Sequence, residues 1–120
     1  MLNHINIMGR LVRDPELRYT QSQKAVTSFT VAVERDFSPV REDKGTDFIN
    51  CVAWNGTAEF VNKFFKKGDM AVVSGRLQMR EWTDKEQKKR TAAEVVAATV
   101  YFGESKRKLT ESDYDGELPF

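Results

Sequence analysis

A chain of 120 residues has room for one domain with its own core and not for two comfortable ones. With 40% apolar and 31% charged residues it fits a soluble globular protein, and its single cysteine, Cys51, excludes an intrachain disulfide or a thiolate metal cluster within one chain. The formal net charge is only +1, but residues 109–120 hold four acids and no base, so the other 14 of the 18 acids face all 19 bases in residues 1–108.

No apolar run is long enough for a signal peptide or a membrane span, and a reducing cytoplasm is the expected setting. Leu2 to Val12 reads as a first strand, with Ile5, Ile7, Gly9 and Leu11 on one face and His4, Asn6, Met8 and Arg10 on the other. Gly9 within it predicts a bulge or sharp bend. His4 is the sole histidine, which leaves metal binding and His-based catalysis almost without support. Arg13-Asp14-Pro15-Glu16 has turn chemistry, and Arg10, Arg13 and Arg18 cluster around it, either as solvated side chains or as a wall of a phosphate groove. Tyr19 is expected to anchor the loop.

Lys24 to Glu34 alternates with many β-branched residues and reads as a second strand. A polar stretch with Pro39 and Gly45 follows, in which Phe37 either tucks back or meets a planar ligand. Thr46 to Trp54 is the third strand, with Phe48, Asn50, Val52 and Trp54 on one face and Ile49, Cys51 and Ala53 on the other. Strand aromatics are more often core than platform, and Cys51 reads as a small buried hydrophobe. Gly56 to Lys67 is a helix, because Phe60, Val61, Phe64 and Phe65 recur at three and four residues. Glu59 in its first turn, Lys66 and Lys67 in its last, and Gly68 as a stop agree with helix polarity.

Met70 to Trp82 is the most informative stretch. Arg76, Gln78, Arg80 and Trp82 share one face, and Val73, Leu77 and Met79 the other. The first is either a groove floor, with cations for phosphates and an indole for a base, or an ordinary charged sheet surface. Thr83 to Arg90 is an exposed hairpin tip. Thr91 to Phe102 is the last strand, with Val96, Ala98, Val100 and Phe102 on one face. Five strands with one helix between the third and fourth is the element order of an OB-fold, an all-β, five-stranded Greek-key barrel. Residues 1–103 form this domain, and residues 104–120 are expected to be a short disordered tail with an acidic tip.

The order of these features resembles the bacterial single-stranded DNA-binding protein family over nearly the whole chain. The residues that carry the likeness are Asn6-Ile7-Met8-Gly9-Arg10-Leu11, Asp14-Pro15-Glu16-Leu17-Arg18-Tyr19, Phe48 to Trp54, Phe64 to Gly68, Gly75-Arg76-Leu77, Arg80-Glu81-Trp82-Thr83-Asp84 and the acidic Pro-Phe terminus. The resemblance implies a homotetramer that coats single-stranded DNA with little sequence specificity, in the cytoplasm at the nucleoid, without a cofactor, a metal or a catalytic residue. It implies base stacking by Phe37, Phe48, Trp54 and Trp82, two of them phenylalanines where well-known members carry tryptophan. Phosphates fall to Arg10, Arg13, Arg76, Arg80, Lys88 and Lys89. Replication, recombination and repair proteins would be recruited by the tip, Asp115, Glu117, Leu118, Pro119 and Phe120, although the linker before it is shorter than is common in the family. Two other readings stay open on the residues alone: an OB-fold scaffold that binds only proteins, and an RNA-binding module.

Overall fold

The computed structural model describes residues 1–36 and 45–104; Phe37 and the tip residues Asp115, Glu117, Leu118, Pro119 and Phe120 lie outside the described residues. The described elements run β1 (Ile5–Leu11), β2 (Glu16–Tyr19), β3 (Ala25–Glu34), β4 (Thr46–Trp54), α1 (Asn55–Phe64), β5 (Met70–Thr83) and β6 (Lys89–Phe102). Strand β1 pairs with β5, β5 with β6, β6 with β4 and β4 with β3, all antiparallel except the parallel β4–β6 pair. Strand β3 then returns to β1 at Arg10↔Ala32 and Leu11↔Val31 and closes the barrel. This is the expected OB-fold, with β2 added on the outside of β3.

Alternation explains most of the core. Leu11, Phe29, Val31, Cys51, Ala53, Ala71 and Val73 point inward from their strands and are buried. Phe65 follows α1 and stacks on Phe102 at 4.6 Å between ring centroids, while Phe60 meets both rings edge-on, so the aromatic cluster fills one end of the barrel. The Thr27 hydroxyl donates to the Ala58 carbonyl at 2.7 Å and ties α1 to β3 from within the core. Burial, with a further push from Glu94, raises the Cys51 thiol to about 12, so it stays a protonated core group.

Five expectations need correction. Glu16 to Tyr19 is a short strand and not a loop, because its backbone pairs with Ala25 to Ser28, and Tyr19 stands exposed instead of anchoring anything. Gly9 makes no bulge; a Cβ there would run into the Ala32 carbonyl, so glycine permits the close approach of β1 and β3. Helix α1 starts at Asn55 and stops at Phe64, which leaves no acid in its first turn and Lys63 as the base in its last. The face assigned to the last strand changes parity midway. Ser74 pairs with Thr99 but Gly75 with Ala97, so Ala98 is an extra residue, and the core takes Val95 and Ala97 before it and Val100 after it. Lastly, Leu77 and Met79 do not continue the buried face of Val73: they are 43% and 57% exposed, because β5 and β6 run past the barrel as a two-stranded ribbon.

Candidate nucleic-acid interface

Residues paired across a ladder share a face, so the register assembles one surface from five strands. Arg18, Val26 and Trp54 form a row across β2, β3 and β4. Glu16, Ser28 and Val52 form the next, which continues through Val96 on β6 to Arg76 on β5. Thr30 stands opposite Asn50, and Ala32 opposite Phe48. On the ribbon the same face carries Gln78 opposite Glu94, Arg80 opposite Ala92, and Trp82 opposite Arg90. The aromatic side chains of β4 and the basic, aromatic face of β5 therefore belong to one continuous surface. Phe48, Trp54 and Trp82 are 67%, 41% and 46% exposed, and none is core.

The cations are held to different degrees. The Arg80 side chain has no hydrogen bond or ion pair among the described residues. Arg76 donates to Gln78 at 2.8 Å, and Gln78 donates to Glu94 at 3.5 Å, a relay that lays the guanidinium along the strand. Arg13 donates to the Thr30 hydroxyl at 3.3 Å, which itself donates to Asn50 at 3.0 Å. Arg13, Thr30, Asn50, Arg80, Glu16 and Glu94 line a recess of about 180 Å³ in the middle of the surface. Arg10 shares the row of Ala32 and Phe48, but its guanidinium grips Glu104 at 2.6 and 3.3 Å and the Gly68 carbonyl at 3.1 Å. That pair holds Glu104 below the usual carboxylate range, and Arg10 is the most engaged of the expected phosphate contacts.

At the ribbon tip the Asp84 carboxylate accepts from the backbone N–H of Glu86 and Lys88, both at 2.9 Å, and from Arg90 Nε at 2.9 Å. Those donors, the Lys88 N–H first, lower its pKa. Lys88 lies in this turn within 4.0 Å of Glu86, whereas Lys89 already belongs to β6.

Arg90, Thr30, Asn50 and Glu94 complete the surface and were not singled out as site residues from the sequence, and Arg18, left open there between a solvated side chain and a groove wall, joins them. Their signal is the pairing register, which brings Arg18 into the row of Trp54 and sets Arg90 opposite Trp82. Spacing along the chain contains no such information. The two Glu side chains give the surface acceptors among its cations, so it suits a ligand with phosphates, flat faces and hydrogen-bonding edges.

Comparison with known proteins agrees with this chemistry. The family model described as Single-strand binding protein family matches residues 2–103. Single-stranded DNA-binding protein 2 of Listeria monocytogenes is 46% identical over 111 residues, covering 92% of this chain and 69% of that protein. The single-stranded DNA-binding protein of Halalkalibacterium halodurans is 47% identical over 102 residues, 85% of this chain and 61% of that one. Single-stranded DNA-binding protein A of Bacillus subtilis is 46% identical over 106 residues, 88% of this chain and 62% of that one.

Proposed function

The chain belongs to the Single-strand binding protein family, and from that premise we propose that it binds single-stranded DNA by stacking and ion pairing and not by catalysis. The observation that carries the reading is the continuous surface on which exposed Phe48, Trp54 and Trp82 alternate with Arg18, Arg76 and Arg80. Each stacked base contributes about 1–3 kcal/mol irrespective of its identity, and the arginines neutralise the backbone between stacks. A duplex keeps its base faces inside, so the single strand is preferred. From Arg76 to Trp82 the strand advances roughly 20 Å at about 3.3 Å per residue, enough to lie under several nucleotides. Phe37, Arg10, Arg13, Lys88 and Lys89 join this reading as further contacts, Arg10 only after releasing Glu104.

Self-association into a tetramer is part of the proposal. Met8, Val72 and Tyr101 form a cross-strand row on the outer side of β1, β5 and β6, and Met8 and Tyr101 are exposed. Residues 1–103 act as the binding domain and residues 104–120 as a tail whose acidic tip recruits replication, recombination and repair proteins. No described helix is long and apolar enough to cross a membrane.

The test is a tryptophan-fluorescence titration with oligothymidine at several salt concentrations, beside a duplex of equal length. Strong quenching by the single strand alone, with a log-affinity slope of about −0.7 per phosphate neutralised, is the expected result. Equal binding of the duplex, or no binding, removes the reading. Tighter binding of a matched RNA would replace it with the RNA module, and light scattering that shows a monomer would remove the tetramer.

A further inference from the structure

We propose that Asn3 is a positioning residue for this surface: its side-chain amide fixes β5 where the strand leaves the barrel, and so aims the face that carries Arg76, Arg80 and Trp82. The inference rests on the single-stranded DNA reading for its functional consequence and on geometry for the clamp itself.

The ladder between β1 and β5 runs from Arg10↔Met70 to Ile5↔Gly75 and ends there. Continued by two residues, the same register would place Asn3 opposite Leu77. No backbone pairing is made at that position. Instead Asn3 Nδ2 donates to the Leu77 carbonyl at 2.8 Å, and the Leu77 N–H donates to Asn3 Oδ1 at 3.0 Å. The carboxamide therefore supplies the donor and the acceptor that a further strand residue would have offered. Only Asn and Gln carry both in one planar fork. The two residues are 74 apart in the chain, so the bond pair ties the N-terminal segment to the base of the ribbon.

The position matters because of what lies on either side of it. Just before Leu77, Gly75 stands at the shift in register with β6, and a Cβ there would overlap the Val96 carbonyl. Beyond it β5 has no buried residue, and Leu77 itself is exposed. A two-stranded ribbon with little packing is marginal by itself and twists freely. Its direction must be set at the base. Leu77 to Trp82 spans about 17 Å at ~3.3 Å per residue, so a tilt of about 10° at the clamp carries the indole about 3 Å. A displacement of that size separates a stacked ring from its base.

The experiment is a double-mutant cycle on oligothymidine affinity, with Asn3→Ala combined in turn with Trp82→Ala on the ribbon and with Phe48→Ala on the barrel. Asn3→Ala alone is expected to weaken binding by about three- to tenfold, an ordinary size for coupled sites. That loss should nearly vanish beside Trp82→Ala and persist beside Phe48→Ala. Equal losses in both backgrounds, or a lowered melting temperature with affinity within twofold of the parent, would overturn the proposal. If the alanine variant does not fold, Asn3→Asp, which keeps an acceptor for the Leu77 N–H but loses the donor, takes its place in the cycle.

A second readout needs no DNA. In a Trp54→Phe protein, the emission anisotropy of Trp82 reports the motion of the ribbon, and it should fall when Asn3 is replaced. Unchanged anisotropy would sink the clamp. Failure of the parent chain to bind oligothymidine would remove the DNA reading alone, and the anisotropy would still decide the clamp.

Discussion

The two halves of the β5–β6 hairpin are made of the same two strands and behave as different materials. In the proximal half, from Met70 to Gly75, Ala71 and Val73 are sealed against the barrel core, with Val100 across the ladder. In the distal half, Leu77, Met79 and Trp82 are exposed although they are as apolar as their proximal counterparts. The difference lies in what stands opposite them. Strand β1 covers the edge of β5 as far as Gly75, and beyond that point the Asn3 side chain is the last bond on that edge from the N-terminal segment. The barrel half supplies stability, and the ribbon half offers surface. A region with few buried contacts opens at low free energy, which suits a strap that must yield to a flexible ligand.

The sharpest way to break this division is to damage each half separately. Phe65→Ala removes a fully buried ring stacked on Phe102 and should lower stability by about 3–5 kcal/mol in urea unfolding, with the DNA affinity of the folded fraction unchanged. Trp82→Ala should do the reverse. Binding falls by about 1–3 kcal/mol per lost stack in a fluorescence-anisotropy titration with labelled oligothymidine, and unfolding shifts by less than about 0.5 kcal/mol. Trp54→Ala lies between them, because its ring is on the proposed binding surface and stands across the ladder from buried Val26 on the barrel, so both measurements should move.

A smaller effect separates charge from stacking on the ribbon. Arg80→Ala should reduce the salt slope of binding by about 0.7 while weakening all sequences alike, as read from titrations at several ionic strengths. The smallest expected effect is at the tip. The Asp84 carboxyl has its pKa lowered, chiefly by the Lys88 N–H, so its folded value lies below its unfolded one. The order it gives the turn is fully present above the ordinary carboxylate range and is lost as pH falls through the folded pKa. NMR titration should show the Lys88 and Arg90 signals moving in that acidic window, and Asp84→Asn should abolish the pH dependence. A turn that stays unchanged through this window would place the control of the tip elsewhere.

Local pattern was a good guide wherever an element buries one face in its own barrel. The alternation of Ile5, Ile7 and Leu11 and the three- and four-residue repeat of Val61 and Phe65 each picked out the side that packs on the core, with Leu11, Val61 and Phe65 buried and Ile5 and Ile7 partly so, because burial of an apolar stripe is what selects the period. The same reasoning failed at Val96 and Ala98. A bulge inserts one residue without changing composition, so every side chain beyond it changes face unannounced. It also failed at Glu16 to Tyr19, whose four residues are too few to show a period and become a strand only because β3 offers an edge.

By itself the sequence determined the barrel, the position of its helix between the third and fourth of its five strands, and the likeness to a family that binds single strands. Those follow from local periodicity and from short motifs. Only the tertiary structure decided that Phe48, Trp54 and Trp82 are exposed on a single surface with Arg18, Asn50 and Glu94, and that Arg10 is occupied by Glu104. These are facts of register and of contact between distant parts of the chain. An alternating strand states which residues share a face, and never which strand will lie beside it or what will cover that face.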